Sequence, residues 1–177
     1  MRWIWIDKFI EFTPKTSATA LKNCSLAEEH LHDLYPDFPV VPHSLIVEGM
    51  AQTAGLVVGE ARDFKEKVIL AKVGKAVFHR LVRPGDTILF KAVVDQLNEQ
   101  GASISGRVEL APPPKADGPA AGPNDENENL VAEIELMFSH IDNNMSGIKF
   151  PEHNFVFTNG FSDLLTNFKR DSGGVAL

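Results

Sequence analysis

One stretch of the sequence, residues 44–60, limits the possible folds more than any other. It has the length of a helix, and nearly all of its residues are apolar or small. A helix that is apolar on almost every side must lie inside the fold, because no face of it is suited to water. Its exceptions are four, four, three and four residues apart, so they share one face of the helix. They are Ser44, Glu48, Gln52, Gly55 and Gly59.

Strands before and after this helix are numerous enough to surround it. Runs rich in β-branched and aromatic residues, bounded by turn residues, predict six strands. These are residues 3–12, 16–23, 68–78, 87–96, 103–110 and 130–140. Ser25 and Glu28 have capping-box spacing and predict a short helix through Asp33, and a last short helix is predicted over 163–169. A sheet wrapped around one buried helix makes this an α+β fold.

The predicted elements form a single domain with two additions. The chain has 177 residues, enough for one domain with a sizeable core, and we expect that domain to span residues 1–142. Within it, residues 112–129 are rich in Pro, Ala, Gly, Asp and Asn, which predicts a disordered acidic insertion between two strands. Residues 143–177 follow as a C-terminal extension, whose apolar side chains are expected to dock on the domain.

Charge and cysteine content argue against several classes of function. The chain has 17 Lys and Arg against 24 Asp and Glu, and residues 116–135 alone hold six acidic residues and no basic one. The remainder has no basic stripe, so nucleic-acid binding is not expected. Cys24 is the only cysteine, which favours a reducing compartment. The apolar stretch is too short to span a bilayer and contains Glu48 and Gln52, so we expect a cytoplasmic protein without a membrane span.

The start of the apolar stretch resembles a known family motif. Residues 39–52 read Pro-Val-Val-Pro-His-Ser-Leu-Ile-Val-Glu-Gly-Met-Ala-Gln. They are similar to the 3-hydroxyacyl-[acyl-carrier-protein] dehydratases of the FabZ type, in which His-Phe-Pro-Gly-x-Pro-Val-Met-Pro-Gly precedes an apolar helix with Glu-Ala-Met-Ala-Gln. The match runs without gaps over residues 34–52, and weaker similarity extends over residues 1 to about 142. The resemblance implies a hot-dog fold, a curved antiparallel sheet wrapped around a central helix.

The resemblance also implies which residues form a site. Glu48 matches the family's catalytic carboxylate, and inside an apolar helix it is expected to be desolvated and to act as a general acid. Leu34 stands where the family has its catalytic His, so that base is missing. The family's oxyanion donor is a backbone N–H at the helix start, here that of His43 or a neighbour, and His43 is the second catalytic candidate. The candidates for substrate binding are Leu34, Gln52, Ser44 and Phe78.

These residues also have plain structural explanations. Glu48 is equally compatible with a buried carboxylate bonded to backbone, and His43 with a loop residue beside a proline. Gln52 is expected to be a partner either of Glu48 or of a backbone group. The other polar candidates are expected to be ordinary surface, turn or core residues, and their spacing has no zinc signature. They are His30, His32, Asp37 and Cys24.

Three functions are compatible with the resemblance. The first is dehydration or hydration of a 3-hydroxyacyl thioester carried by acyl-carrier protein or coenzyme A, which transfers only protons and needs no metal and no redox cofactor. The second is a catalytically silent subunit that binds acyl chains or partners an active homologue. The third is thioester hydrolysis, with Glu48 activating a water. A homodimer or a dimer-based assembly is expected, since a sheet edge leaves surface for a second copy. In the resembling family, the His and Glu of one site come from different subunits.

Overall fold

A computed structural model describes residues 3–112, 128–141, 151, 154, 156–157 and 159–172. The strands are β1 Lys8–Thr13, β2 Ser17–Asn23, β3 Val68–Phe78, β4 Thr87–Leu97, β5 Gly101–Leu110 and β6 Leu130–His140. They form one antiparallel sheet in the order β1-β2-β4-β5-β6-β3. The helices are α1 His30–Asp33, α2 His43–Glu60 and α3 Asn159–Asp171. The predicted α+β class is confirmed.

Helix α2 occupies the centre of the fold, as its composition predicts. It packs against the inner face of the sheet and contacts every strand from β2 to β6. All of its residues from Gly49 to Gly59 are buried. The absence of a side chain at Gly49 lets the Phe90 ring approach the helix, since a Cβ at that position would lie 2.2 Å from the ring. Close packing of helix and sheet therefore depends on this glycine.

Substitution of Gly49 by Ala is expected to destabilise the protein by about 1–3 kcal/mol, because the new methyl overpacks the Phe90 ring. Gly55 provides a matched control in the same helix, since a Cβ there lies at an ordinary 3.5 Å from Phe138. Gly55→Ala should be neutral or stabilising by up to about 1 kcal/mol through helix propensity. Urea unfolding measures both, and equal effects of the two substitutions would contradict the packing argument.

The first strand is shorter than predicted. A strand was expected over residues 3–12, but β1 begins only at Lys8. The reason is that the backbone N–H groups of Trp5 and Ile6 donate to the side chain of Gln52, at 2.8 and 3.4 Å, instead of to a neighbouring strand. A side chain of the central helix thus replaces the sheet as the partner of this segment.

The first helix is also shorter than predicted, whereas the other elements agree more closely. The predicted capping contact is present, because the Ser25 N–H donates to Glu28 Oε1 at 3.0 Å. It stabilises a turn rather than the start of a helix, and α1 begins only at His30. The Glu28 carboxylate also binds Lys22, 3.1 Å away on β2, and this ion pair links the turn to the sheet.

Strands β2 to β6 begin and end within two residues of their predicted bounds. Helix α3 begins at Asn159, four residues earlier than predicted.

Both predicted additions lie partly outside the described residues. Residues 113–127 of the insertion predicted at 112–129 are not among the described residues. Asn129 belongs to the β5–β6 hairpin, because its carbonyl accepts a hydrogen bond from Leu110 N–H at 2.9 Å. In the C-terminal part, α3 packs on β1 with Phe161 and Leu165 buried. The phenylalanines at 150 and 155 are not among the described residues. The division of the chain at residue 142 stays a prediction.

Candidate active site

The candidate carboxylate and amide are joined on α2. Glu48 Oε1 accepts a hydrogen bond from Gln52 Nε2 at 2.8 Å, one helical turn further on. Gln52 is only 1% exposed, whereas Glu48 is half-buried. The expected desolvation of Glu48 is therefore incomplete in the single chain.

Gln52 serves both of the partners that its position suggested. Its Nε2 also donates to the Trp3 carbonyl at 3.2 Å, and its Oε1 accepts from the backbone N–H groups of Trp5 and Ile6. The pairing with Glu48 follows from the spacing of four residues in a helix. The pairing with residues 3–6 had no signal in the sequence, because backbone groups carry it and the partners are more than 45 residues apart.

Helix α2 begins at the wall of an open apolar cleft. Pro42 is its N-cap and provides no side-chain cap; its carbonyl accepts from the N–H groups of Leu45 and Ile46. Within the described residues, the N–H groups of His43 and Ser44 have no hydrogen-bond partner. The first N–H groups of a helix favour negative charge, so this end of α2 is suited to a carbonyl oxygen that becomes negatively charged.

The cleft joins segments that are distant in sequence. Its volume is about 480 Å³. Its wall contains Leu34, Tyr35, Phe38, Val40, Val41, Pro42, His43, Ser44 and Leu81. Such a wall, apolar apart from the helix start, is suited to an acyl chain with a polar head. The sequence placed Leu34, His43 and Ser44 near one site, and the structure brings these three together; it did not indicate Leu81.

Two predicted residues lie just outside the cleft wall. The Phe78 ring stacks on the His43 ring in parallel, with centroids 3.9 Å apart, and so fixes the plane of the imidazole. Glu48 follows Ser44 by one turn on the same side of α2 but is not part of the wall. The Leu34 side chain is 53% exposed towards the cleft. Among the described residues of this wall, His43 has the only imidazole.

The remaining polar candidates are resolved by their surroundings. His30 is half-buried, with its ring 5.2 Å from that of Trp5, so it is not a fully exposed surface residue. His32 and Asp37 are exposed, as expected. Cys24 is buried, as expected of a small hydrophobe, and burial raises the pKa of its thiol to about 12.

Cys24 should therefore be inert in the folded protein. At pH 8 a thiol with a raised pKa and no access to solvent forms almost no thiolate, which is the reactive species. We expect an aromatic disulfide reagent to label none of it within minutes in buffer and all of it in 6 M guanidinium, and the absorbance of the released thiolate measures both. Rapid labelling under native conditions would contradict this burial.

The comparisons with known proteins agree with this geometry. The sequence profile of the FabA-like domain matches residues 4–109. The chain belongs to the FabA-like domain family. A curated relative, the 3-hydroxyacyl-[acyl-carrier-protein] dehydratase FabZ of Caldanaerobacter subterraneus subsp. tengcongensis, is 32% identical over 137 residues, which cover 77% of this chain and 86% of that protein. The resemblance found in the sequence is thus confirmed, while the assignment of Leu34 to the histidine position stays a prediction.

Solved structures show the fold of this family member. The dehydratase heterocomplex ApeI:P from Xenorhabdus doucetiae superposes with a TM-score of 0.53 at 13% identity, over 74% of this chain and 96% of that one. The protein smu.793 from Streptococcus mutans, solved with acetyl CoA, gives 0.56 at 12% identity, over 78% and 91%. The predicted hot-dog fold is confirmed. In the part of the chain that the structure describes, no helix has the length and hydropathy needed to cross a membrane.

Proposed function

We propose that this protein is a hydro-lyase that eliminates water from a 3-hydroxyacyl thioester, or adds it to the enoyl thioester. The observation that carries the proposal is that helix α2 combines an open N-terminus at an apolar cleft with a carboxylate, Glu48, that Gln52 holds one turn beyond the helix start. The dehydratase relative at 32% identity supports it. Acyl-carrier protein is the proposed carrier, and coenzyme A is the alternative, since a structural neighbour was solved with acetyl CoA.

Each part of the site has a step to perform. The thioester oxygen accepts from the N–H groups of His43 and Ser44, where the helix end stabilises the enolate that forms when the α-proton leaves. Glu48 then donates a proton to the 3-hydroxyl group, the C–O bond breaks and water departs, which balances the reaction without a redox step. The His43 imidazole, held by Phe78, is the candidate base for the α-proton. The leucine side chain at position 34 has no basic atom and cannot take this role.

We infer that the protein forms a homodimer through the edge strand β3. This strand has 11 residues and lies at the end of the sheet. Leu70 and Val73 pair with Phe138 and Leu136, which are buried on the inner face, yet they are 38% and 41% exposed. The inner face is therefore uncovered at this edge, where a second copy has both backbone groups and apolar surface to bind. In such a dimer, as the resemblance implies, Glu48 of one copy serves the cleft of the other.

Val73→Lys tests this interface. An unpaired ammonium group is costly to bury, so the substitution should raise the dimer dissociation constant by at least about tenfold. Val93→Lys is the matched control, because Val93 is 48% exposed on the outer face of the sheet. Light scattering across micromolar concentrations measures the mass. A wild-type monomer at these concentrations, or equal effects of the two lysines, would count against the inferred interface.

A second candidate function is a partner subunit of a heteromeric dehydratase. Leu34 at the predicted histidine position favours it, and one structural neighbour is described as a dehydratase heterocomplex. The chain would then contribute Glu48 to a site whose histidine comes from another protein. Location in the cytoplasm stays a prediction under either proposal.

One set of assays separates these functions. Crotonyl and 3-hydroxyacyl thioesters of both carriers are incubated with the purified chain, and enoyl absorbance and free thiol are followed together. Change in enoyl absorbance without thiol release supports the hydro-lyase. Thiol release indicates hydrolysis instead. If the chain alone gives neither signal but increases turnover by an active dehydratase from the same organism, it is a partner subunit.

A further inference from the structure

Both tryptophans of the chain lie in one extended segment, residues 3–6, that is hydrogen-bonded to the central helix α2. The Gln52 side chain makes these hydrogen bonds: it donates to the Trp3 carbonyl and accepts from the N–H groups of Trp5 and Ile6. Because Gln52 is 1% exposed, water is not a ready substitute for these partners. The segment and the amide therefore fix each other's position.

The segment also fixes which end of the amide faces Glu48. Two backbone N–H groups point at one end of the Gln52 side chain, and an N–H requires an acceptor, so that end must be Oε1. The NH₂ group then faces the Trp3 carbonyl and Glu48 Oε1, both of which are acceptors. A reversed amide would set its NH₂ group against two donors and its oxygen against two acceptors.

This orientation distinguishes the two oxygens of Glu48. Oε1 accepts from Gln52 Nε2 at 2.8 Å, so the proton of the acid form belongs on Oε2. We propose that segment 3–6 positions Glu48 for proton transfer: through Gln52 it holds Oε1 as an acceptor and leaves Oε2 to exchange a proton with the substrate. Gln52 is thus a positioning residue, and this inference rests on the proposed hydro-lyase function.

Packing makes the segment a firm support for this purpose. Trp5 and Ile6 are 4% and 2% exposed. Lys22 Nζ lies 4.6 Å from the centre of the Trp5 ring, and the rings of Trp3 and Trp5 are 5.3 Å apart. The N–H groups that orient Gln52 are therefore anchored by the packing of the Trp5 and Ile6 side chains.

Three variants separate positioning from simple stability. Gln52→Leu removes both functions of the amide. Gln52→Glu keeps acceptors for the two N–H groups but removes the donor to Glu48. Thr53→Val is the control, since it removes one buried hydrogen bond of the same helix, from the Thr53 hydroxyl to the Gly49 carbonyl at 2.7 Å. We expect kcat to fall by at least about tenfold in both Gln52 variants with little change in KM, and to be retained in the control.

Two readouts do not depend on turnover. With carboxyl-¹³C glutamate, the Glu48 resonance, identified by its loss in Glu48→Gln, should move in both Gln52 variants and stay in the control. Tryptophan emission, which reports only segment 3–6, should shift to the red in Gln52→Leu and not in the control. An unmoved Glu48 resonance in Gln52→Glu overturns the inference, as does unchanged kcat in both Gln52 variants. If instead the wild type has no turnover while the resonance moves, the proposed function fails and the hydrogen-bonded positioning stands.

Discussion

Glu48→Gln is expected to lower dehydration of a 3-hydroxyacyl thioester by about 10²–10⁴-fold and to leave the fold intact. The amide has no proton to give to the departing hydroxyl. It does keep an oxygen in the place of Oε1, which accepts from Gln52 Nε2 in the present structure. Stability should therefore change by less than about 1 kcal/mol. Turnover measures the loss of dehydration, and urea unfolding of the same preparations measures the change in the free energy of unfolding.

Glu60→Gln is the matched control for this substitution. Glu60 is the other carboxylate of α2, at the end of the helix remote from the cleft. Replacing the Glu60 carboxylate by an amide should leave turnover unchanged. Full activity of Glu48→Gln, or an equal loss of turnover in Glu48→Gln and Glu60→Gln, would show that Glu48 has only a structural role.

Leu34→His should raise dehydration by at least about tenfold, because it adds an imidazole where the gapless match to the FabZ motif places the base. Leu34 is 53% exposed at the cleft, so little packing is lost and the free energy of unfolding should stay within about 0.5 kcal/mol. The rate of enoyl-thioester formation measures the gain. Combining Leu34→His with Glu48→Gln should remove it, since the new base needs the acid.

Two outcomes would contradict this assignment of position 34. One is strong wild-type activity that His32→Ala or Asp37→Ala abolishes, which would mean that the loop supplies a base in another register. The other is strong wild-type activity that His43→Gln abolishes while Leu34→His adds nothing. The second result would place the base at His43, which lines the same cleft.

The sequence predicted the parts of the fold that local pattern determines. Helix α2 was identifiable because nearly all of its residues are apolar or small, and β3 and β6 because their runs are bounded by turn residues. Helical spacing made the pair of Glu48 and Gln52 one of two expected alternatives, and this pair is present. These features depend on residues that are neighbours in the chain, so one sequence is enough to find them.

What the sequence missed depends on partners far along the chain. Residues 3–7 have the composition of a strand, but the amide of Gln52 takes two of their backbone N–H groups. His30 looks like a surface residue until Trp5 covers it. Leu81 joins the cleft only because β3 returns the chain beside the loop at 35–42, where Val41 N–H donates to the Val82 carbonyl. None of these pairings has a periodicity that reveals it.

The two edges of the sheet differ in a way that limits how large an assembly can grow. At one end, β1 has six residues, and α3 covers its inner side, with the rings of Phe12 and Phe168 6.5 Å apart. At the other, β3 is nearly twice as long, and Leu70 and Val73 on its inner side are 38% and 41% exposed. In the homodimer inferred above, the two β3 edges pair with each other, so neither is left for a third copy. The remaining edge strand, β1, is short and has its inner side covered by α3, and both features disfavour the open-ended strand addition that produces fibres.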